Sequence, residues 1–244
     1  MQRLFLVLII VIAVSACKKG STGKPTYGSA TELVKQQITH YDLIHADTDL
    51  YTYDAGNHLT THAMMYHGVA INADVYKYDG ADEPSEVDNY DVTTGKLRTK
   101  YTFAYSAGKA IVTEHNGNGL LTFLDTMRLN SKNQVARLYR GAFYNAFTYD
   151  VRGNVSSVQG FKIADDSPAT VVGGPAIYDE GKNPFSAVKP NYYFSYLLYV
   201  GSYNTYVNNL SGGFVYQFDG NGYPAKESIV GQPNFYVLYS YTTL

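Results

Sequence analysis

The stretch Tyr149-Asp150-Val151-Arg152-Gly153-Asn154-Val155 decides the fold. An Asp side chain accepts hydrogen bonds from backbone N–H groups two residues on and starts a turn. Gly supplies the positive φ that a tight hairpin loop demands. The aromatic residue before and the aliphatic residue after favour pleated, half-buried positions. The stretch therefore reads as a strand, a short turn and a returning strand.

The same pattern recurs outward from it. It stands at Tyr53-Asp54-Ala55-Gly56-Asn57-His58-Leu59, at Tyr78-Asp79-Gly80 and at Phe218-Asp219-Gly220-Asn221-Gly222-Tyr223. Tyr90-Asp91-Val92-Thr93-Thr94-Gly95-Lys96-Leu97 carries one extra residue, and Tyr105-Ser106-Ala107-Gly108-Lys109 has Ser for Asp. Tyr178-Asp179-Glu180-Gly181-Lys182 completes the set. Between the turns, aromatic residues alternate at period two, as in Tyr101, Phe103, Tyr105 and in Phe235, Val237, Tyr239, Tyr241. Each row belongs on one face of a sheet, with Thr, Ser, Gln and Lys on the other. Spacings of about 12 to 40 residues are too uneven for a strict solenoid. An all-β chain follows, a twisted, extended antiparallel meander of hairpins forming a single domain over 30–244. The 25 Tyr residues are then accounted for as rings laid on neighbouring rings, their hydroxyls wet at the sheet edge.

One stretch breaks the rhythm. Pro190 can open a helix, Asn191 can help cap it and Gly201 can end it. Tyr192, Tyr196 and Tyr199 fall at helical spacing, as do Tyr193, Leu197 and Val200, so a short helix is expected near 191–200. A bulged strand is the competitor, because aromatic residues favour sheets. Together with Tyr203 and Tyr206 these tyrosines form the densest aromatic set. Core packing explains them most simply; a ligand or partner surface, a glycan or an envelope protein, is the alternative.

The repeated turns, Lys182-Asn183-Pro184-Phe185, Asn208-Asn209 and Gly222-Tyr223-Pro224 together resemble the hairpin-repeat lipoproteins of Bacteroidota. The Tyr-Asp turns are also similar to those of YD-repeat (Rhs-type) proteins, without their regular repeats and large shell. The resemblance covers roughly residues 30–244. It implies a β-rich fold, an envelope address and no reaction or catalytic residues to carry over.

The N-terminus reads as an address. Arg3 precedes an apolar run from Leu4 to Val14, too short to span a bilayer core of about 30 Å comfortably. Val14-Ser15-Ala16-Cys17 then resembles the bacterial lipoprotein signal, which implies cleavage after residue 16 and lipid on Cys17. Residues 1–16 are the expected signal peptide, and 17–29 the lipidated Cys and a flexible polar tether. Cys17 is the sole cysteine, so neither an internal disulfide nor a cysteine metal cluster can form. Several acyl chains give stable anchoring to a membrane that the chain does not cross. Lys18 after the cysteine does not resemble an inner-membrane retention signal, which implies the outer membrane, on its periplasmic or cell-surface side.

Chemistry is sparse. With 19 basic against 21 acidic residues the chain lacks the basic footprint of a nucleic-acid binder. His40, His45, His58, His62 and His67 cluster, but His58 and His62 along one strand would hold their rings roughly 13 Å apart, too far for one metal. Asp54 or Asp42 could join such a metal site as further ligands, but the histidines read as solvated sheet-face residues. Asp79, Asp82, Glu83, Glu86, Asp88 and Asp91 read as an exposed hairpin tip or a charged edge strand. No glutamate pair can be chosen for a glycosidase, and Gly-x-Ser-x-Gly, His-Glu-x-x-His and phosphate-loop motifs are missing. The expectation is an outer-membrane lipoprotein acting as a non-catalytic binding or scaffold module, without cofactor or metal. A carbohydrate-active hydrolase or a glycan-binding protein using exposed Tyr residues is the alternative.

Overall fold

The computed structural model describes residues 28–173, 177–189 and 207–243. Seventeen strands are described. They begin with β1 (Glu32–His40), β2 (Ala46–Tyr53), β3 (Leu59–Tyr66), β4 (Val69–Tyr78), β5 (Pro84–Asp91) and β6 (Lys96–Ser106). Next come β7 (Lys109–Asn116), β8 (Leu121–Leu129), β9 (Val135–Arg140), β10 (Phe143–Tyr149), β11 (Val155–Lys162) and β12 (Pro168–Gly173). The last are β13 (Tyr178–Lys182), β14 (Asn208–Leu210), β15 (Phe214–Phe218), β16 (Pro224–Ile229) and β17 (Gln232–Thr243).

Fifteen of these strands form one antiparallel sheet. β1 to β12 run in sequence order, and β17 returns to pair with β1, carrying β16 and β15 outward. The edges are β12 and β15. β13 and β14 pair separately. The expected all-β meander is therefore the fold. The helix expected near 191–200 lies outside the described residues.

A meander puts its turns alternately at two ends, and the two ends differ. At one end lie the loops of the Asp-turn pattern. Asp150 Oδ1 accepts the Arg152 and Asn154 N–H groups at 2.8 and 2.9 Å, and Asp54 and Asp219 do the same in their own loops. A turn that the Asp pattern misses, Asn130-Ser131-Lys132-Asn133-Gln134, uses the Asn130 side-chain oxygen Oδ1 identically. Gly153 takes the positive φ of 98°, but in the Asp54 loop it is Asn57, not Gly56, that does so, at 69°.

These loops leave a signature in the ladder. Register shifts occur where Tyr53 meets Leu59, Tyr78 meets Pro84, Leu129 meets Val135, Tyr149 meets Val155 and Phe218 meets Pro224. A bulge leaves backbone groups outside the ladder, and a buried carbonyl then needs another donor. The tyrosines supply it. Tyr78 Oη donates to the Leu59 carbonyl at 2.9 Å, Tyr105 to Pro84 at 2.7 Å and Tyr149 to Val135 at 2.7 Å. Tyr178 donates to Val155 at 2.7 Å and Tyr241 to Pro224 at 2.8 Å. Tyr53 treats Val34, at the bulge of β1, in the same way. The tyrosine of one repeat thus clasps the bulge of an earlier one. The hydroxyls of these clasping tyrosines are bonded to backbone and not left to water as the sequence suggested, and burial pushes those of Tyr53, Tyr78, Tyr149 and Tyr241 well above their ordinary pKa.

The core lies on the face that carries these rings. Tyr51, Leu59, Tyr76, Val87, Phe103, Val112 and Met127 are buried there. Phe185 and Val188 cover them, with Phe185 edge-on to Tyr51 at 5.7 Å. The Asn-Pro-Phe element is therefore packing. Asp179-Glu180-Gly181 is not a hairpin turn: it lies in β13, where the Asp179 carboxylate accepts from Asn209 of β14 and the Gly181 N–H. Gly181 is required by a close approach, because a Cβ there would overlap the Phe218 ring. Asp91 and Gly95 sit in the β5–β6 turn at the opposite end, and Tyr90 donates to Asp88 instead of clasping a bulge.

Of the acidic run, Asp79, Asp82 and Glu83 lie in the β4–β5 loop, at a hairpin tip as the sequence suggested, whereas Glu86, Asp88 and Asp91 lie in β5. β5 lies in the interior of the sheet, not at an edge, because Tyr76↔Val87 and Val87↔Tyr101 pair it on both sides. On the face away from the core, Lys77 bonds Glu86 and Asp88, and Lys100 bonds Glu86 at 2.9 Å. Cross-strand charge pairs of this kind stabilise a ladder modestly.

The clasp gives a direct test. Tyr78→Phe and Tyr149→Phe each orphan a bulge carbonyl and should cost about 1–2 kcal/mol in urea unfolding, whereas Tyr90→Phe should cost less than about 0.5 kcal/mol.

Candidate functional site

On the core face, towards the end away from the Asp loops, polar side chains replace the tyrosines. Alternation carries this change: His62, Asp74, Asn89 and Thr99 stand opposite one another across β3, β4, β5 and β6. Met64, Val87 and Tyr101 complete the lining of an open cavity of about 240 Å³.

His62 is its fixed point. The ring is 4% exposed and lies parallel to Tyr51, with centroids 4.8 Å apart. Its Nε2 meets Asp49 Oδ1 at 2.9 Å and its Nδ1 meets Asp74 Oδ2 at 3.3 Å. Burial pulls its pKa down, but the hydrogen bonds and charges of Asp49 and Asp74 outweigh that and hold it above the ordinary histidine value. Asn89 Nδ2 donates to the other Asp74 oxygen at 2.7 Å. Further along the face Arg140 grips the buried Asp125 with two nitrogens, at 3.0 and 2.7 Å.

His62 is thus not a solvated sheet-face histidine. Nor is His58, which sits in the Asp54 loop with Nδ1 at 3.0 Å from Asp54 and Nε2 at 2.9 Å from Asp82 of the next loop. The Asp82 hydrogen bond, helped by Asp54, raises the His58 pKa despite partial burial. His58 also forms an isolated bridge with Lys189, so it ties the covering segment to the sheet.

Asp74 is committed to His62 and Asn89, which favours rigidity. Burial raises the pKa of Glu32, Asp179 and Glu227, yet none of these lines the cavity. Among the described residues no group of three or more His, Cys, Asp or Glu is placed to hold a metal ion. Among them, too, no helix is long and apolar enough to cross a membrane, which says nothing of a β-barrel.

The sequence reading did not find this site. Asp49, Asp74, Asn89 and Thr99 carry no motif, and only strand register brings them together. The turn residues Asp54, Gly56, Gly108, Asp150, Gly153, Asp219 and Gly222 gather at the opposite end from the cavity. Cys17 and Tyr192, Tyr193, Tyr196, Tyr199, Tyr203 and Tyr206 lie outside the described residues.

No family model matches the chain, and no curated protein does. Among solved structures, a porin-like protein from Bacteroides uniformis is 12% identical, covers 89% of this chain and 99% of its own, and gives a TM-score of 0.47. A porin-like protein from Bacteroides vulgatus is 12% identical over 88% of this chain and 100% of its own, with a TM-score of 0.37. Scores below 0.5 at such identities establish neither kinship nor function.

Protonation of His62 should be visible in stability. A histidine whose pKa is raised by folding contributes its full stabilisation below its unfolded value of about 6.5 and loses it as pH rises through the folded value. The melting-temperature gap between the wild type and His62→Gln should therefore be widest below about pH 6.5 and shrink as pH rises above it. A gap that widens with rising pH would mean the imidazole is held neutral.

Proposed function

We propose that the protein is an outer-membrane lipoprotein, held through lipid on Cys17, that works as a non-catalytic binding module for a hydroxyl-rich ligand such as a glycan end group. The observation that carries the ligand reading is the cavity itself. It sets the His62 imidazole, a carboxylate, an amide and two hydroxyls beside the apolar Met64 and Val87. Such a mixture suits a sugar ring, which offers hydroxyls at its rim and an apolar face. At about 240 Å³ the space falls below the roughly 300–1,000 Å³ of sites for drug-sized ligands, and fits one ring better than a chain.

Support for the address comes from the short apolar leader, the small residues before Cys17 and the resemblance to hairpin-repeat lipoproteins. The clasped loops account structurally for most of the repeat, which fits a rigid scaffold that presents one modest site.

Two measurements test this. Cys17→Ala should move the protein from the membrane to the soluble fraction; continued membrane retention would mean another anchor. On a glycan array the chain from Lys18 should bind a defined set of glycans, and Asn89→Ala with Thr99→Val should weaken that binding at least about tenfold. Reproducible hydrolysis of a bound glycan would overturn the non-catalytic reading.

A further inference from the structure

The row of turns opposite the Asp loops is apolar. It comprises the turns after β1, β3, β5, β7, β9, β11 and β16, which the antiparallel order brings to one end of the sheet. Most of the exposed large apolar side chains lie in or beside these turns, whereas the Asp-loop end exposes Tyr105, Val151 and Val207. Leu43 and Ile44 are 83% and 84% exposed, Leu120 is 66%, Val230 is 64% and Val69 is 62%.

We propose that this apolar rim docks on a phospholipid bilayer surface, so that the sheet stands on its edge with the Asp loops pointing away. Three observations choose lipid over a protein partner. The tips are separate, one for every second strand, and so about 10 Å apart. Two such combs pack poorly against each other, while fluid acyl chains and headgroups fill the spaces between tips. The composition is interfacial, with Leu and Ile at the tips and Tyr41 and Tyr66 beside them, and charges of both signs close by, Asp42 and Asp165 with Lys96 and Lys162. Finally, the chain outside the structure is long enough.

That last point rests on the proposed lipid at Cys17. Gly28 is held at the Asp-loop end, its N–H donating to the Gly220 carbonyl at 2.8 Å. β1 has 9 residues and spans about 30 Å. The eleven residue steps from Cys17 to Gly28 reach at most about 36–40 Å when extended. Lipid on Cys17 can therefore enter the same bilayer that the rim touches.

Flotation with vesicles of phosphatidylethanolamine and phosphatidylglycerol tests the rim separately from the anchor. The chain from Lys18 keeps every described strand and takes no lipid, so the status of Cys17 does not enter. It should float with the vesicles. Leu43→Ser/Ile44→Ser should float less, and the further changes Leu120→Ser/Leu121→Ser should lower partitioning by on the order of a hundredfold while leaving the melting temperature unchanged. Val151→Ser, at the other end and 97% exposed, should float like the wild type. Failure of the wild-type chain to float, or equal flotation of the four-site variant, would overturn the proposal. A dimer in sedimentation that the same four changes dissolve, with no flotation, would overturn it in favour of a second copy on the rim.

Discussion

The hydrogen bond from a tyrosine hydroxyl to the carbonyl left outside the ladder by a bulge is what the rest of the molecule depends on. A long antiparallel meander gains little from any single hairpin, since isolated two-stranded units are marginal in water. Its loops need bulges to accommodate the Asp-centred turn, and each bulge creates a buried acceptor. The tyrosine of a later repeat removes that cost and couples one hairpin to another. Tyr78, Tyr105, Tyr149, Tyr178 and Tyr241 do so at five bulges.

This coupling divides the sheet by function. The clasped end is covered by Phe185 and Val188, which pack into the core there. The half beyond it is free to carry polar chemistry on the core face, where His62 gathers Asp49 and Asp74. Beyond that, the opposite turns are free to be apolar at their tips. Fold, cavity and rim are thus three zones along the same strands.

The fold was largely legible in the sequence because its signals are local. Asp, Gly and Asn at fixed offsets act through hydrogen bonds two to four residues apart, as Asp150 does with Arg152 and Asn154. Reading failed where identical letters sit in different surroundings: Asp179-x-Gly181 is drawn into a strand by Asn209, and Asn130 does the work of an Asp. The cavity was illegible for a different reason. His62, Asp74, Asn89 and Thr99 come from four strands, and their convergence depends on a register that the bulges set. The wet-hydroxyl reading of the tyrosines erred because their acceptors are backbone carbonyls, which no side-chain pattern displays.

Amide hydrogen exchange under native conditions tests the clasp most directly, comparing the wild type with Tyr149→Phe. If the hydroxyl couples hairpins, losing it should speed exchange by about tenfold or more at amides of β9 and β11 flanking the Val135 bulge and the Asp150 loop, with β2 and β3 unchanged. Unaltered protection around Val135, or a loss spread evenly over every strand, would contradict a structure held together by tyrosine and bulge.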